Sequence, residues 1–208
     1  MNRQDIHRQA AEHLKVNDPL LAPVIDRFGL ATIEPHTNYY PELVDAIISQ
    51  QLSVKAAATI VSRFKDLFGS DWPTPEQILE RDIEEFRSVG LSRAKAGYVQ
   101  DLAAHVLDGS VSFDKLDSQS NDEITKELTA VKGIGEWTAH MFLLFCMGRT
   151  DVLAWGDLGV RSAIRKLYGF ENLPTPDEVR EVAATHGWHP YESIACWYLW
   201  KSLDNVPA

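Results

Sequence analysis

The 208 residues predict an all-α protein, on three observations. Apolar residues recur at three- and four-residue spacing, as in Leu43, Val44, Ile47 and Ile48, or in Tyr98, Val99, Leu102, Val106 and Leu107. Helix starts are written out twice, in Thr74-Pro75-Glu76-Gln77 and Thr175-Pro176-Asp177-Glu178. Both have the form of a capping box, with proline at the first helical position and a side chain reaching back to the cap. No stretch shows the strict apolar–polar alternation of a half-buried strand.

Taken in order, residues 5–16 and 19–28 predict two short helices, the second opened by Asp18-Pro19 and closed by Gly29. His36, Asn38, Tyr39 and Tyr40 form a polar and aromatic connection. The helical face of Leu43 to Ile48 ends at Ser49-Gln50-Gln51-Leu52, after which Ser53 can cap the next helix. That helix carries Ala57, Ile60, Val61, Phe64 and Phe68 to a stop at Gly69. A short helix follows Thr74. Ser88-Val89-Gly90-Leu91-Ser92 then makes a degenerate turn into the helix of Tyr98 to Leu107, which ends at Gly109. Residues 110–120 are a Ser- and Asp-rich connection. Towards the C-terminus, the helix opened by Thr175 closes at Gly187, and a last helix starting near Pro190 holds Ile194, Trp197, Tyr198 and Trp200.

The organising stretch lies between, from Leu128 to Gly169. Ile124, Leu128 and Val131 repeat at helical spacing, as do Trp137, Met141, Leu144 and Phe145, so two short amphipathic helices flank Gly133-Ile134-Gly135. Glycine can turn the chain sharply and let another backbone approach its amides. The helix beginning near Glu136 then points unpaired N–H groups and its positive dipole end outwards, where a phosphate fits. A lone Gly-x-Gly is also an ordinary helix stop and tight turn. Roughly twenty residues on, Asp157 opens a helix through Leu158, Arg161, Ile164, Arg165 and Leu167, and by position alone it is an ordinary N-cap.

Hydrophobic residues make up 45% of the chain, enough for one domain or two subdomains sharing a core. The N-terminus lacks an apolar signal core and no run approaches about eighteen apolar residues, so no membrane partner and a cytoplasmic location are expected. Cys146 and Cys196 lie in apolar helical stretches and read as small hydrophobes; among the seven histidines and two cysteines there is no zinc or iron spacing. The net charge of −10 disfavours nonspecific attraction to a polyanion. It is uneven, however. Residues 125–168 set Lys126, Lys132, Arg149, Arg161, Arg165 and Lys166 against only Glu127, Glu136, Asp151 and Asp157. That is either a small, salt-sensitive footprint for an anion or a set of solvated helix faces.

In these segments the chain resembles the helix-hairpin-helix DNA glycosylase superfamily, and within it the 3-methyladenine DNA glycosylase II branch. Val131 to Ala139 match the family's (Ile/Val/Pro)-(Lys/Pro)-Gly-Ile-Gly-x-Trp-Thr-Ala, and Asp157 falls on its catalytic carboxylate. Ile47 to Ser53 match an Ile-x-x-Gln-Gln-Leu-Ser-like segment. Trp188 to Trp200 match a closing segment usually written Arg-Pro-(Trp/Tyr)-Arg-Ser-x-Ala-x-x-x-Leu-Trp. The resemblance covers roughly residues 40–203. Two departures stand out: Trp155-Gly156 where the family has Pro-Asp, and Glu192 where it often has Arg.

The resemblance implies two helical subdomains with a cleft between them and no N-terminal β domain, residues 40–148 carrying the hairpin and residues 1–39 plus 149–208 carrying the acid. It implies a monofunctional enzyme that excises alkylated purines from double-stranded DNA, with Asp157 catalytic and Trp137, Met141 and Trp200 lining the base pocket. Gln51 would insert where a flipped base leaves the stack; otherwise it reads as surface glutamine. Gly133, Gly135, Thr138 and Lys132 would contact DNA. Trp137, where strand-cutting relatives have lysine, implies no lyase step; it also fits the start of an apolar stripe packed in the core. The carbonyls of Thr129, Val131 and Ile134 would hold a sodium or potassium ion, with no cofactor needed for the chemistry and no iron–sulfur cluster. A monomer working in the bacterial nucleoid, or in a eukaryotic nucleus, is expected. The alternatives are a glycosylase for another lesion and a noncatalytic hairpin that binds DNA structure.

Overall fold

The computed structural model describes residues 2–203; Met1 and residues 204–208, the ends of the second expected subdomain, lie outside the described residues. In chain order its helices are α1 Arg3–Asn17, α2 Ala22–Phe28, α3 Tyr39–Ser49, α4 Val54–Asp66, α5 Pro75–Leu79, α6 Ile83–Ser88, α7 Arg93–Leu107, α8 Asn121–Ala130, α9 Glu136–Met141, α10 Leu158–Leu167, α11 Pro176–Thr185 and α12 Glu192–Leu203. A 3-10 segment, Phe113–Ser118, precedes α8, and α9 runs on into a π-helical turn, Phe142–Cys146. The described residues contain no strand, and none of their helices is long and apolar enough to cross a membrane. They divide into two compact units, residues 36–142 and residues 1–35 with 143–208.

In the unit of residues 36–142, α7 is the central helix and packs against α3, α5 and α6. It contributes Ala96, Val99, Leu102 and Ala103, and α3 contributes Leu43, Val44, Ile47 and Ile48, all buried. Phe64 anchors an aromatic cluster with Phe68 at 5.4 Å, Phe86 at 5.6 Å and Trp72 at 6.5 Å. Each such buried ring or branched chain adds about 1.5–3 kcal/mol by leaving water. Helix ends follow local chemistry: Ser53, Thr74, Ser92 and Ser120 all accept from amides in the first turns that they cap. α3 starts at Tyr39, earlier than its apolar face, because Pro41 is tolerated in a first turn.

In the other unit, α12 packs against α10, α2 and α1. It buries Ser193, Ile194, Ala195, Cys196, Tyr198 and Leu199, so almost no face is left for water. Asp18, expected to open α2, does something else. Its carboxylate is fully buried and accepts the N–H groups of Leu20 and Leu21 at 3.0 Å each, the Trp188 indole N–H at 2.7 Å and the Tyr168 hydroxyl. These bonds make a tight turn, and α2 starts only at Ala22. Burial, followed by the bond and charge of Asp18, raises the Tyr168 pKa. Asp18→Ala would leave the Leu20 amide, an indole N–H and a phenol without their acceptor, and would leave the Leu21 amide only the main-chain carbonyl of position 18 at 3.2 Å. It should lower stability by about 3 kcal/mol, read as a shifted urea midpoint at constant slope.

Candidate active site

The hairpin joins α8 to α9, which pack together. Gly133 has φ +86, and a Cβ there would lie 2.2 Å from the Tyr98 ring, so only glycine fits. The Ile134 N–H closes the turn on the Val131 carbonyl at 3.1 Å. Gly135 caps α9 with no side-chain bond, which leaves the first amides of that helix unserved by the cap. Asp101 braces the turn from α7, accepting the Lys132 amide at 2.8 Å and its ammonium at 3.0 Å. Burial opposes the Asp101 charge, but these bonds prevail and hold its carboxyl below its ordinary value.

In the other unit, Asp157 caps α10. Its Oδ1 accepts the Val160 N–H at 2.8 Å and the Trp200 indole N–H at 2.8 Å. The Trp200 ring is stacked on Phe145, with centroids 5.7 Å apart and planes at 26°. Gly159 makes room for this contact: a Cβ there would come within 2.9 Å of Trp200 Cδ1 and 3.0 Å of Asp157 Oδ1. The loop before Asp157 is tied to α12 by Ser193. Its N–H donates to the Thr150 carbonyl at 2.9 Å, and its hydroxyl accepts the Val152 N–H at 3.0 Å. A turn from Ala154 to Asp157, closed at 3.0 Å, sets the carboxylate at the helix start. Trp155 lies under the Arg180 guanidinium at 4.2 Å, while Gly156 borders open space.

The sequence profile of the HhH-GPD superfamily base excision DNA repair protein matches residues 44–186, which include both the hairpin and Asp157. The chain belongs to this superfamily. As an HhH-GPD protein it is similar to the Schizosaccharomyces pombe alkylbase DNA glycosidase-like protein mag2, with 29% identity over 97% of the chain and 96% of the relative. It is 37% identical to the DNA-3-methyladenine glycosylase 1 of the same yeast, over 78% of the chain and 72% of the relative. Among solved structures, the DNA-3-methyladenine glycosidase of Bacillus halodurans superposes with a TM-score of 0.85 and 35% identity, over 94% of this chain and 89% of that one. The Schizosaccharomyces pombe Mag1 glycosylase in complex with abasic DNA superposes at 0.82 with 32% identity, over 96% and 100%.

Within this HhH-GPD chain the expected site residues divide into several groups. Trp137 is half exposed, which overturns its packing in the core, and Phe145 is 38% exposed. Beyond Met141 the π turn shifts the face of the helix, so that Phe142 and Leu143 are buried beside Leu144 while Phe145 is exposed. Met141 is half-buried. Thr138 is buried, 7% exposed, in the first turn of α9. Lys132 is exposed but paired with Asp101. Arg161, counted with the basic patch, donates Nε to the Pro174 carbonyl at 2.7 Å. Gln51 is exposed with φ +58, in the turn between α3 and α4. Glu192 is hydrogen-bonded with His189 Nδ1 at 3.0 Å, and its Oε2 is buried without a hydrogen bond. Cys146 and Cys196 are buried; burial, with the charges of Asp157 and Glu192, pushes the Cys196 thiol up to about 12, out of reach as a nucleophile.

Sequence reasoning missed the supporting roles of Ser193, Gly159 and Asp101. A buried serine in the first turn of an apolar helix and a glycine in the second position of a strong one were signals, since neither favours helix by itself.

Proposed function

We propose that this HhH-GPD protein is a DNA glycosylase that releases alkylated purines, 3-methyladenine among them, by hydrolysing the N-glycosidic bond. The observation that carries this is Asp157 at the start of α10, held through Oδ1 by the Val160 amide and the Trp200 indole. The names of the similar proteins support the substrate class.

An alkylated purine is cationic, so its glycosidic bond is already weak and the base departs without a general acid. The sugar is left as an oxocarbenium-like centre. The Asp157 carboxylate stabilises that charge and orients or deprotonates a water. Its two hydrogen-bond donors fix its direction before the reaction and cost nothing when charge develops.

Trp137 offers an exposed indole face to a cationic base, a contact worth about 0.5–2 kcal/mol. Where a strand-cutting enzyme has a lysine for a Schiff base, tryptophan has no nucleophile, so the product is an abasic site. The amides around Gly133 and Gly135 hold a phosphate, and Gln51 fills the gap left by the extruded nucleotide. Thr129, Val131 and Ile134 offer hard, neutral main-chain oxygens, a donor set that suits sodium or potassium. Such an ion would add positive charge beside the phosphate.

The test is a panel of duplexes with single defined lesions. Free base measured by chromatography should appear from alkylated purines and not from neutral oxidised bases. No strand break should appear before alkali, and no adduct should form with borohydride. Tight binding with no base release would favour the noncatalytic binder instead.

A further inference from the structure

Gln51 occupies a place where backbone chemistry favours glycine. The Leu52 N–H donates to the Ser49 carbonyl at 3.2 Å, Gln50 has φ −49 and ψ 132, and Gln51 has φ +58. This is a type II turn, whose third residue is usually glycine or asparagine because its φ is positive. Nothing in Ser-Gln-Gln-Leu selects it. Rotating one peptide plane, that between Gln50 and Gln51, gives the commoner type I turn and redirects the Gln51 side chain.

Two side chains hold that plane. Lys95, in the first turn of α7, donates from Nζ to the Ile48 carbonyl at 2.8 Å and to the Gln50 carbonyl at 2.6 Å. The second of these oxygens belongs to the peptide whose direction separates the two turn types. Both lie at the end of α3, where orphan carbonyls and the dipole favour a cation. Lys95 lines a cavity of about 250 Å³ beside the turn, together with Ile60 and Leu91, and burial lowers its pKa. A partly dehydrated ammonium bonds more strongly to what it touches. Gln50, for its part, donates from Nε2 to the Gly133 carbonyl at 2.8 Å, in the hairpin 83 residues along the chain.

We infer that Lys95 is a positioning residue that locks the Gln50–Gln51 turn in its type II form, and that Gln50 ties this turn to the glycine hairpin. Gln51 is thereby presented in its inserting direction before DNA arrives. The inference rests on the reading of Gln51 as the plug. It explains why a strained turn is tolerated: strain of this kind persists where surrounding contacts over-determine it.

The experiment uses the full chain and a duplex carrying a tetrahydrofuran abasic analogue opposite 2-aminopurine. Fluorescence reports disturbance of the stack, and anisotropy reports binding. Wild type should bind and brighten the probe, and Gln51→Ala should bind without brightening it. Lys95→Met should lose about half or more of the brightening while affinity stays within about threefold. Lys95→Arg, which can still donate to both carbonyls, should recover it, and Gln50→Ala should behave like Lys95→Met. Adding Lys95→Met to Gln51→Ala should change nothing further.

If Gln51→Ala abolishes the signal but Lys95→Met and Gln50→Ala keep it, the lock is wrong and the plug stands. If wild type never brightens the probe, or Gln51→Ala still does, the plug reading fails and the lock falls with it. A Lys95→Met protein that loses affinity more than about tenfold, with a salt slope reduced by about one, would instead make Lys95 a phosphate ligand and overturn the inference.

Discussion

Asp157→Asn should slow release of an alkylated purine by about 10²- to 10³-fold and leave the fold and the affinity for an abasic duplex unchanged. Asparagine is as good an N-cap as aspartate, so an amide oxygen in the place of Oδ1 can still accept from Val160 and Trp200. What disappears is the negative charge, and with it the stabilisation of the sugar cation and the base that takes a proton from water. Asp157→Ala is the informative contrast. It removes charge and cap together, so it should lose the same rate and also about 1 kcal/mol of stability. Single-turnover release and thermal unfolding, measured on both variants, separate the two roles. An asparagine variant that releases base at the wild-type rate would remove Asp157 from the chemistry.

Helix starts and stops were legible in the sequence wherever one local interaction sets them. Thr74 and Thr175 form the capping boxes that their spacing predicts, and Gly69 and Gly109 close helices with positive φ. Legibility failed where a distant group competes for the same atoms. Asp18-Pro19 reads as a helix start, yet the Asp18 carboxylate also serves Trp188 and Tyr168, far along the chain. The stripe of Trp137, Met141, Leu144 and Phe145 assumes an unbroken α-helix, which the π turn interrupts. Charge counting erred similarly, because Lys132 is paired with Asp101, an acid outside the segment counted. The candidate site was legible as a position in the chain, through Asp157 and the hairpin glycines. Its support was not, since Trp200, Ser193 and Gly159 reveal their purpose only through the bonds that converge on Asp157 and its loop.

Gly159→Ala is the sharpest test of that support. Within α10 alone the change should help, since alanine favours helix over glycine by about 1 kcal/mol. The third dimension opposes it. The new Cβ would lie 2.9 Å from Trp200 Cδ1 and 3.0 Å from both Trp200 Nε1 and Asp157 Oδ1, closer than such atoms tolerate. The indole has little freedom to retreat, being stacked on Phe145 and carried by a helix buried on most sides. Asp157 must therefore shift, and displacing a reacting group by a fraction of an ångström to 1 Å should slow base release about 10- to 100-fold. The melting temperature should move by only a few degrees, because the helix gain offsets part of the clash. Trp200→Phe reaches the same hydrogen bond from the other side, keeping the stack and losing the N–H. If both variants act through the aim of Asp157, the double variant should be little slower than the worse single one. Full multiplicativity, or a Gly159→Ala enzyme with wild-type rate, would show that the tryptophan does not aim the carboxylate.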